Sequence, residues 1–333
     1  MERLKQYFKN KNILITGGLG FLGSNLAHRL VNSNANITLL DNLNPLYGGN
    51  KFNIKEIEEN VKVVIGDVRD NNILLPIIQK ADIIFHFAAQ VSYIDSLSMP
   101  FEDLGLNAKT TLQILEICRK YNSKAKILFS SSRMVMGKIE DKHVTESSAT
   151  NPLSLYGIHK LTSEKYLQMY YKDFGIPFVI LRITNPYGPR QQIKHNKYSL
   201  VGWFIRQAME GKTIKIFGDG KQLRDYIFVD DIVEAFLRCS IEENAIGKII
   251  NIGSGISTEF REMVKGVINI VQNGYIEYVE WPPVYEHVET GDIVVDISRL
   301  KEITGFQPKY NLKDGIHKTY DYYKYHFKDY VEE

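Results

Sequence analysis

The chain has 333 residues, of which 44% are hydrophobic and 24% are charged, and its formal net charge is +2. These values are typical of a globular protein of about two domains, and they give no reason to expect nucleic acid or an anionic membrane as a partner. The two cysteines, Cys118 and Cys239, match neither a metal site nor a disulfide framework, and no signal peptide or membrane span is evident, so we expect a cytoplasmic protein without a metal.

The first predicted unit is a strand, a glycine-rich turn and a helix. Residues 12–16 form a short apolar run typical of a buried parallel strand, and the glycines of residues 17–23 follow at once. Apolar residues then recur at positions 22, 26 and 30, which is the spacing of one helix face. In this order the glycines make the turn, admit phosphates and let helix and strand pack closely, while amides at the helix start hold a pyrophosphate. The predicted dinucleotide contacts here are Gly17, Gly20, Phe21, Leu22 and Gly23.

The second predicted strand, residues 37–40, ends at Asp41, eighteen residues beyond Gly23. A carboxylate at this point can accept hydrogen bonds from the adenine ribose hydroxyls and would repel a 2′-phosphate. The next residue, Asn42, is not an arginine that could bind such a phosphate. We therefore predict NAD as the cofactor in preference to NADP, with Asp41 and Asn42 beside its ribose.

Strands and helices continue to alternate along the chain. Further apolar runs, at residues 61–65, 83–87, 126–129, 177–181 and 249–252, are predicted to be strands, and helices are predicted at 107–121, 155–174 and 230–239. This alternation predicts an α/β fold, a Rossmann-type doubly wound parallel sheet. The ligand is expected beyond the carboxyl ends of the strands, where Asp41, Asp67, Ala88, Ser132 and Asn185 fall.

The pattern becomes irregular after residue 186. The segment from Pro186 to Ser199, which contains Arg190, is polar and basic and is typical of a loop around an anionic ligand. A helix at 200–210 and a strand at 213–217 precede a return to the sheet. We predict an NAD-binding domain of residues 1–186 with 227–252, and a smaller, interleaved C-terminal substrate lobe of residues 187–226 and 253–333.

Tyr156 and Lys160 lie four residues apart on a predicted helix, so both side chains can enter one cleft. A tyrosine hydroxyl has a reference pKa near ~10, and a neighbouring ammonium group and a positive nicotinamide ring both favour the phenolate. Tyr156 is therefore predicted to be the catalytic base, and Lys160 also to hold the nicotinamide ribose. Ser132, at the end of the preceding strand, is predicted to hold the substrate oxygen that becomes a carbonyl.

These residues, in this order, resemble the extended short-chain dehydrogenase/reductases of the NAD-dependent nucleotide-sugar epimerase/dehydratase group. The resemblance extends from about Lys11 to about Tyr323. Besides the glycine turn and the Tyr156/Lys160 pair, it depends on the segments Gly66-Asp67-Val68-Arg69-Asp70, His86-Phe87-Ala88-Ala89-Gln90, Ser130-Ser131-Ser132, 181–190 and 223–231.

The resemblance implies roles for further residues. Cofactor contacts would include residues on the adenine side and along the dinucleotide groove, namely Asp67, Val68, Ala88, Ala89, Gln90 and Ser130. Substrate contacts would come from the sugar, phosphate and nucleobase positions, and with the basic loop these are Ser132, Asn185, Arg190, Phe217 and Arg224. Members of this family usually dimerise through two helices per subunit, which here would be residues 107–121 and 155–174.

The chain also departs from the family pattern. Dehydratases and decarboxylating members carry an acid one or two residues after the Ser132 position, where this chain has Arg133 and Met134, so 4,6-dehydration is disfavoured. An arginine often found near Glu289 in galactose-type epimerases is absent. The sequence assigns no role to Arg133, Met134, Met136 or His159.

The expected activity is that of an NAD-dependent nucleotide-sugar epimerase, with transient oxidation to a keto-sugar, acting on a nucleotide-diphosphate sugar. Position 4 of the hexose is favoured because it is the commonest position in the family. One alternative is a nucleotide-sugar dehydrogenase or ketosugar reductase, and another is a CDP-sugar 2-epimerase, which residues 201–204 resemble. A catalytically silent NAD-sensing protein is a third, disfavoured by the retained Tyr156/Lys160 pair. The nucleobase and the sugar stay open.

Overall fold

The structure is a computed structural model that describes residues 2–44, 46–139, 143–197, 200–286 and 288–331. Tyr198 and Ser199, the last two residues of the predicted basic loop, lie outside the described residues. The same holds for Met1 and residues 332–333, the outermost residues of the predicted domains. All statements on the fold concern the described ranges.

The strands are β1 (Asn12–Thr16), β2 (Asn36–Asp41), β3 (Lys62–Ile65), β4 (Ile83–His86), β5 (Lys126–Ser132), β6 (His143–Val144), β7 (Phe178–Ile183), β8 (Asn185–Tyr187), β9 (Thr213–Phe217), β10 (Leu223–Arg224), β11 (Tyr226–Phe228), β12 (Lys248–Ile252), β13 (Thr258–Glu259), β14 (Tyr275–Val279) and β15 (Val294–Val295). The helices are α1 (Glu2–Phe8), α2 (Phe21–Leu30), α3 (Asn71–Ile78), α4 (Asp95–Ser98), α5 (Pro100–Leu104), α6 (Thr110–Tyr121), α7 (Leu155–Phe174), α8 (Leu200–Met209), α9 (Val229–Ile241), α10 (Phe260–Val271), α11 (Pro283–Glu286), α12 (Ser298–Thr304) and α13 (Leu312–Val331). A π-helical turn, Gly105–Lys109, precedes α6, so the α-helical part of the predicted 107–121 helix starts at Thr110.

The central sheet has seven parallel strands in the order β12-β7-β5-β4-β1-β2-β3. The strand order reverses between β1 and β4, and ligands of doubly wound sheets bind in the crevice at such a reversal. The prediction of a Rossmann-type doubly wound sheet is therefore confirmed.

Helices cover both faces of this sheet. Alternate residues of a strand point to opposite faces, and accordingly Ile13 and Ile15 of β1 pack in one core while Leu14 packs in the other. The first core receives apolar residues of α2 and α9, and the second receives those of α3, α6 and α7. Because all seven strands are parallel, their carboxyl ends lie along one edge of the sheet.

Smaller two-stranded pairs lie outside the central sheet. β9 pairs with β14 and β8 with β11, both in parallel, and β10 pairs with β13 in antiparallel fashion. Helices α8 and α10 pack against each other beside these strands. In the described part of the chain, the helices lack the combination of length and apolar character that a bilayer crossing requires.

Candidate active site

A cleft of about 670 Å³ lies at the carboxyl edge of the sheet. Its walls come from the central sheet on one side and from β9, β10 and α8 on the other. The predicted site residues that line it are Gly17, Gly20, Phe21, Leu22, Asp41, Asn42, Val68, Ala88, Ala89, Ser130, Ser132, Tyr156, Lys160, Asn185, Phe217 and Arg224.

The glycine turn connects β1 to α2. Gly17 has a φ of 68°, and a Cβ there would lie 2.9 Å from the backbone nitrogen of Ala88. A Cβ on Gly23 would lie 2.2 Å from the carbonyl oxygen of Gly17, so Gly23 allows the turn and α2 to pack together but does not itself line the cleft. Gly20 is the N-cap of α2, and no side chain caps the helix there. The first amides of α2 are therefore available to an anion, as a dinucleotide pyrophosphate requires.

Asp41 is held at the end of β2 by two backbone amides. Its Oδ2 accepts a hydrogen bond from the N–H of Leu19 at 3.0 Å, and its Oδ1 accepts one from the N–H of Leu43 at 2.9 Å. Burial raises the pKa of Asp41 above its ordinary value, although these amide hydrogen bonds act in the opposite direction. Each carboxylate oxygen keeps acceptor capacity, which a pair of ribose hydroxyls can use.

Asp67 and Gln90 were predicted to contact the cofactor, but their side chains lie outside the cleft lining. The carboxylate of Asp67 accepts hydrogen bonds from Arg69, whose guanidinium lowers the pKa of Asp67 to about 2. Gln90 is fully buried and donates to the carbonyl of Ser92 at 2.8 Å. The structure places both side chains beside the cleft and not in its wall, and their contact with the cofactor stays a prediction.

Arg190 was predicted to bind substrate and also lies outside the cleft lining. Its guanidinium donates to the side-chain oxygen of Asn25 at 3.0 Å and to the carbonyl of Asn53 at 3.2 Å. The same group lies 5.5 Å from the ring centroid of Tyr322. Arg190 therefore ties α2 to the C-terminal helix α13 and does not face the substrate region.

Tyr156, Lys160 and Ser132 meet in the middle of the cleft. Helix α7 starts at Leu155 and is capped by the hydroxyl of Ser154. It packs so closely on the turn after β5 that a Cβ on Gly157 would lie 2.5 Å from the carbonyl oxygen of Met134. Tyr156 is only 7% exposed and Lys160 only 2%. The Lys160 ammonium donates to the carbonyl of Ser130 at 3.0 Å and lies 5.9 Å from the centroid of the Tyr156 ring.

The electrostatic balance at this pair differs from the balance that the sequence suggests. Burial raises the pKa of Tyr156 to about 12, while a hydrogen bond with Ser132 acts in the opposite direction. Burial also lowers the pKa of Lys160 to about 8, against the charges of Asp103 and Glu164. Desolvation by the protein therefore outweighs the help that the ammonium was expected to give to the phenolate. The positive nicotinamide ring becomes the more important source of such help.

His159 precedes Lys160 and has a structural partner. Its Nδ1 lies 2.5 Å from Oδ1 of Asp103, and both residues are buried. This contact attaches α7 to α5 directly behind the Tyr156/Lys160 pair. Met136 is also buried, with only 2% exposure, and does not line the cleft.

The far end of the cleft contains two arginines and an aromatic cluster. Arg224 donates to the carbonyls of Leu223 and Gly291 and to the carboxylate of Glu289. Arg133 donates to Oδ1 of Asn185 at 3.2 Å and to the hydroxyl of Thr290 at 2.7 Å. The ring of Phe217 lies against two further rings of the cleft wall, those of Trp281 and Tyr285, with centroid distances of 5.5 and 5.4 Å.

Several cleft residues were not predicted from the sequence. They are Tyr47, Tyr93, Gln191, Trp203, Trp281, Tyr285 and Glu289. One signal was available: the chain has two tryptophans, and both line the cleft. Aromatic side chains are common in the walls of ligand pockets.

Comparison with known proteins identifies the family. The profile of the NAD dependent epimerase/dehydratase family matches residues 13–253. The UDP-glucose 4-epimerase of Mycolicibacterium smegmatis is 32% identical over 317 residues, which cover 93% of this chain and 98% of that one. The CDP-paratose 2-epimerase of Salmonella typhi is 30% identical, with 93% of this chain and 98% of that one covered.

A solved structure is also similar to this chain in sequence and in fold. The UDP-glucuronic acid 4-epimerase of Bacillus cereus, in complex with UDP-glucuronic acid and NAD, is 29% identical. Its TM-score is 0.83, with 94% of this chain and 99% of that chain covered. The resemblance inferred from the motifs is confirmed: the chain belongs to the NAD dependent epimerase/dehydratase family, within the extended short-chain dehydrogenase/reductases, and its cofactor is NAD.

Proposed function

We propose that the protein is an NAD-dependent epimerase that inverts C4 of a nucleotide-diphosphate hexose. The observation that carries this proposal is that Tyr156, Ser132 and Lys160 lie together in the cleft. One end of the cleft has the glycine turn and the start of α2, which no side chain caps, and the other end is lined by arginines and aromatic rings. A cleft with these two ends fits a dinucleotide and a nucleotide sugar whose reacting carbon lies between them. The similarity to a UDP-glucose 4-epimerase supports the choice of C4.

The cofactor would be held by the residues that line the near end of the cleft. The amides at the start of α2, around Gly20, Phe21 and Leu22, suit the pyrophosphate, and Asp41 with Asn42 suits the adenine ribose. The groove beside them is lined by Gly17, Val68, Ala88, Ala89 and Ser130. Lys160 suits the nicotinamide ribose.

The chain's own groups would manage the proton. NAD supplies the hydride acceptor, and later the hydride donor, for the sugar carbon. Tyr156 takes the proton of the C4 hydroxyl, and the hydroxyl of Ser132 holds that oxygen as it becomes a carbonyl. Lys160, with its ammonium fixed by the Ser130 carbonyl, favours the phenolate electrostatically. The keto-sugar then rotates so that its other face receives the hydride, and Tyr156 returns the proton to the oxygen.

The acids of the cleft favour epimerisation over dehydration. In the part of the chain that the structure describes, the cleft-lining acids are Asp41 and Glu289. Asp41 accepts hydrogen bonds from two backbone amides at the end proposed for adenosine, and Glu289 accepts a hydrogen bond from Arg224. The two positions after Ser132, which carry an acid in dehydratases, are Arg133 and Met134. Elimination of water would lack its proton donor.

The test is to incubate the NAD-loaded protein with UDP-, CDP- and dTDP-hexoses and to follow the sugar protons by NMR. We expect one of them to equilibrate with its C4 epimer while the NADH absorbance shows no net change. A stoichiometric change in NADH absorbance would favour the dehydrogenase or ketosugar reductase. Inversion at C2 of a CDP-sugar would favour the 2-epimerase to which the chain is similar. Inertness towards every sugar would leave an NAD-sensing protein.

We also propose a homodimer that forms through the helices of residues 107–121 and 155–174. Apolar side chains on the surface support this: Met169 of α7 is 42% exposed, and Phe101 of α5, which packs on α7, is 85% exposed. In light scattering, Met169→Glu should shift the protein towards monomer. Tyr325→Glu, which changes an exposed aromatic residue of α13, should leave the dimer intact. A wild-type monomer would contradict the proposal.

The remaining sequence predictions also stay proposals. We assign residues 1–186 with 227–252 to the NAD-binding domain, and residues 187–226 and 253–333 to the substrate lobe. Location in the cytoplasm is supported by the two buried free thiols, Cys118 and Cys239, which suit a reducing compartment.

A further inference from the structure

We propose that Arg133 is the residue that binds the diphosphate of the nucleotide sugar with a full positive charge. Arg224, at the corresponding end of the cleft, has its charge balanced within the protein. This inference rests on the proposed function, because it assumes that a nucleotide diphosphate enters the far end of the cleft. We call Arg133, Arg224 and Glu289 the arginine cluster.

Arg224 has protein partners at two of its three guanidinium nitrogens. One of its guanidinium nitrogens, Nη1, donates to the carbonyls of Leu223 at 2.9 Å and Gly291 at 2.8 Å. Another nitrogen, Nη2, is paired with the carboxylate of Glu289, and the whole residue is only 6% exposed. An arginine paired in this way offers an incoming phosphate much less net attraction than a free one, since the carboxylate repels the same anion.

The hydrogen bonds of Arg133 go to neutral groups, the side-chain oxygen of Asn185 and the hydroxyl of Thr290. Among the residues that the structure describes, no carboxylate lies within 4.0 Å of its guanidinium nitrogens. The charge of Glu289 acts on Arg133 only from beyond this distance, so the desolvated guanidinium has no directly paired carboxylate, which is costly. The position of Arg133 in the wall of a ligand cleft makes an anionic ligand the natural partner, and guanidinium groups bind phosphate oxygens in a bidentate manner.

The position of Arg133 is consistent with contact to the diphosphate. Arg133 follows Ser132, which contacts Tyr156, while its guanidinium reaches Asn185 and Thr290 beside Arg224 and Glu289. The charges of Arg224 and Glu289 act on Arg133, and the charge of Arg133 acts on Tyr156. Arg133 therefore lies between the Tyr156/Ser132 pair and the Arg224/Glu289 pair at the far end of the cleft.

Charge decides between two possible anions, the diphosphate and a carboxylate on the sugar. Two arginines and one glutamate give the arginine cluster a net charge of +1. A diphosphate brings two negative charges and already exceeds this value, so an acidic sugar would leave further negative charge uncompensated. We therefore assign Arg133 to the diphosphate rather than to a uronic acid.

The experiment measures binding of UDP, CDP and dTDP to the NAD-loaded protein by calorimetry, and then uses the tightest of the three. Arg133→Gln should raise the Kd for this diphosphate by roughly 10- to 100-fold, the range for losing a hydrogen bond to a charged group. Arg133→Lys should bind with intermediate affinity, because a lysine keeps the charge but loses the fork geometry. Arg3→Gln, which changes an exposed arginine on α1, is the matched control and should bind within about twofold of the wild type.

A second substitution separates charge from structure. In the double variant Arg133→Gln/Glu289→Gln, the charge of Arg224 is no longer balanced, so the diphosphate should regain about tenfold in affinity over Arg133→Gln. A merely structural role of Arg133, in holding Asn185 and Thr290, would not be rescued in this way. The melting temperatures of all variants show whether each is folded, and Arg133→Lys keeps the test decisive if the glutamine variant unfolds.

The outcomes are distinct. Wild-type affinity of Arg133→Gln for the diphosphate overturns the inference but leaves the proposed epimerase intact. A loss confined to UDP-glucuronic acid, with UDP and UDP-glucose unaffected, also overturns it and assigns Arg133 to a sugar carboxylate. Failure of the wild-type protein to bind any of the three diphosphates removes both the inference and the proposed function.

Discussion

The two ends of the cleft are built in different ways. At the end proposed for the cofactor, the glycine turn and the first residues of α2 line the cleft, and Asp41 is held by two backbone amides. At the far end, side chains from distant segments fix one another, as in the contact of Arg133 with Thr290, 157 residues apart, and of Arg224 with Glu289, 65 residues apart. We therefore expect the cofactor end to be sensitive to backbone shape and the far end to be sensitive to charge.

The largest effect is expected where the two ends meet. Tyr156→Phe removes the proposed proton acceptor and should lower kcat by roughly 10²- to 10⁴-fold, the usual contribution of a positioned acid or base. Binding of NAD and of the nucleotide sugar should change by less than about threefold, because both ends of the cleft are intact. Tyr171→Phe on the same helix, at a half-exposed position that does not line the cleft, is the control and should keep wild-type kcat. Equal rates for the wild type and Tyr156→Phe would remove the tyrosine from the mechanism.

The next effect concerns stability and pH at the same junction. Burial lowers the pKa of Lys160 to about 8, so between pH 8 and the ordinary lysine value of 10.5 the unfolded chain binds more protons than the folded protein. The destabilisation from this lysine is therefore complete below pH 8 and is relieved as the pH rises to 10.5. At pH 7, Lys160→Met should therefore have a free energy of unfolding up to about 3 kcal/mol higher than that of the wild type, as measured by urea titration. The difference should shrink at pH 10.5, and a constant difference across this range would show that the lysine is not desolvated.

The smallest of the three effects tests backbone shape at the cofactor end. A Cβ on Gly23 would lie 2.2 Å from the Gly17 carbonyl oxygen, whereas one on Gly20 would lie 3.3 Å from the same atom. Gly23→Ala should therefore cost about 1–3 kcal/mol of stability, as forced overpacking does, and should weaken NAD binding. Gly20→Ala is the matched control and should cost less. Thermal unfolding with and without NAD measures both changes, and equal costs would indicate that the turn adapts easily.

The same contrast explains how much could be predicted from the sequence. The cofactor end depends on a continuous motif, so the glycine turn, Asp41 and the sheet could be predicted from neighbouring residues alone. The roles of Arg133 and Glu289 could not, because they depend on contacts between segments that are far apart in the chain. A motif also does not specify the direction of each side chain. Arg190, for example, was predicted at the substrate but is bound by Asn25 and Asn53.

Tyr156 and Lys160 illustrate an intermediate case. Their spacing on α7 predicted that they share a cleft, and the structure places both in it. The direction in which the protein shifts the pKa of Tyr156 could not be predicted, because it depends on the burial that α7 and β5 produce together. The sequence identifies the chemical groups, and the fold sets their electrostatic environment.

The central claim is that the sugar carbon is oxidised and reduced again within the one cleft, with only the hydroxyl proton passing to the protein. The most direct measurement is to run the epimerisation in D₂O and to examine the inverted carbon of the product by NMR. We expect the product to carry the original hydrogen there, because the hydride does not exchange with solvent. Deuterium at the inverted carbon would contradict the account, since it would mean that the carbon loses a proton to the protein or to water.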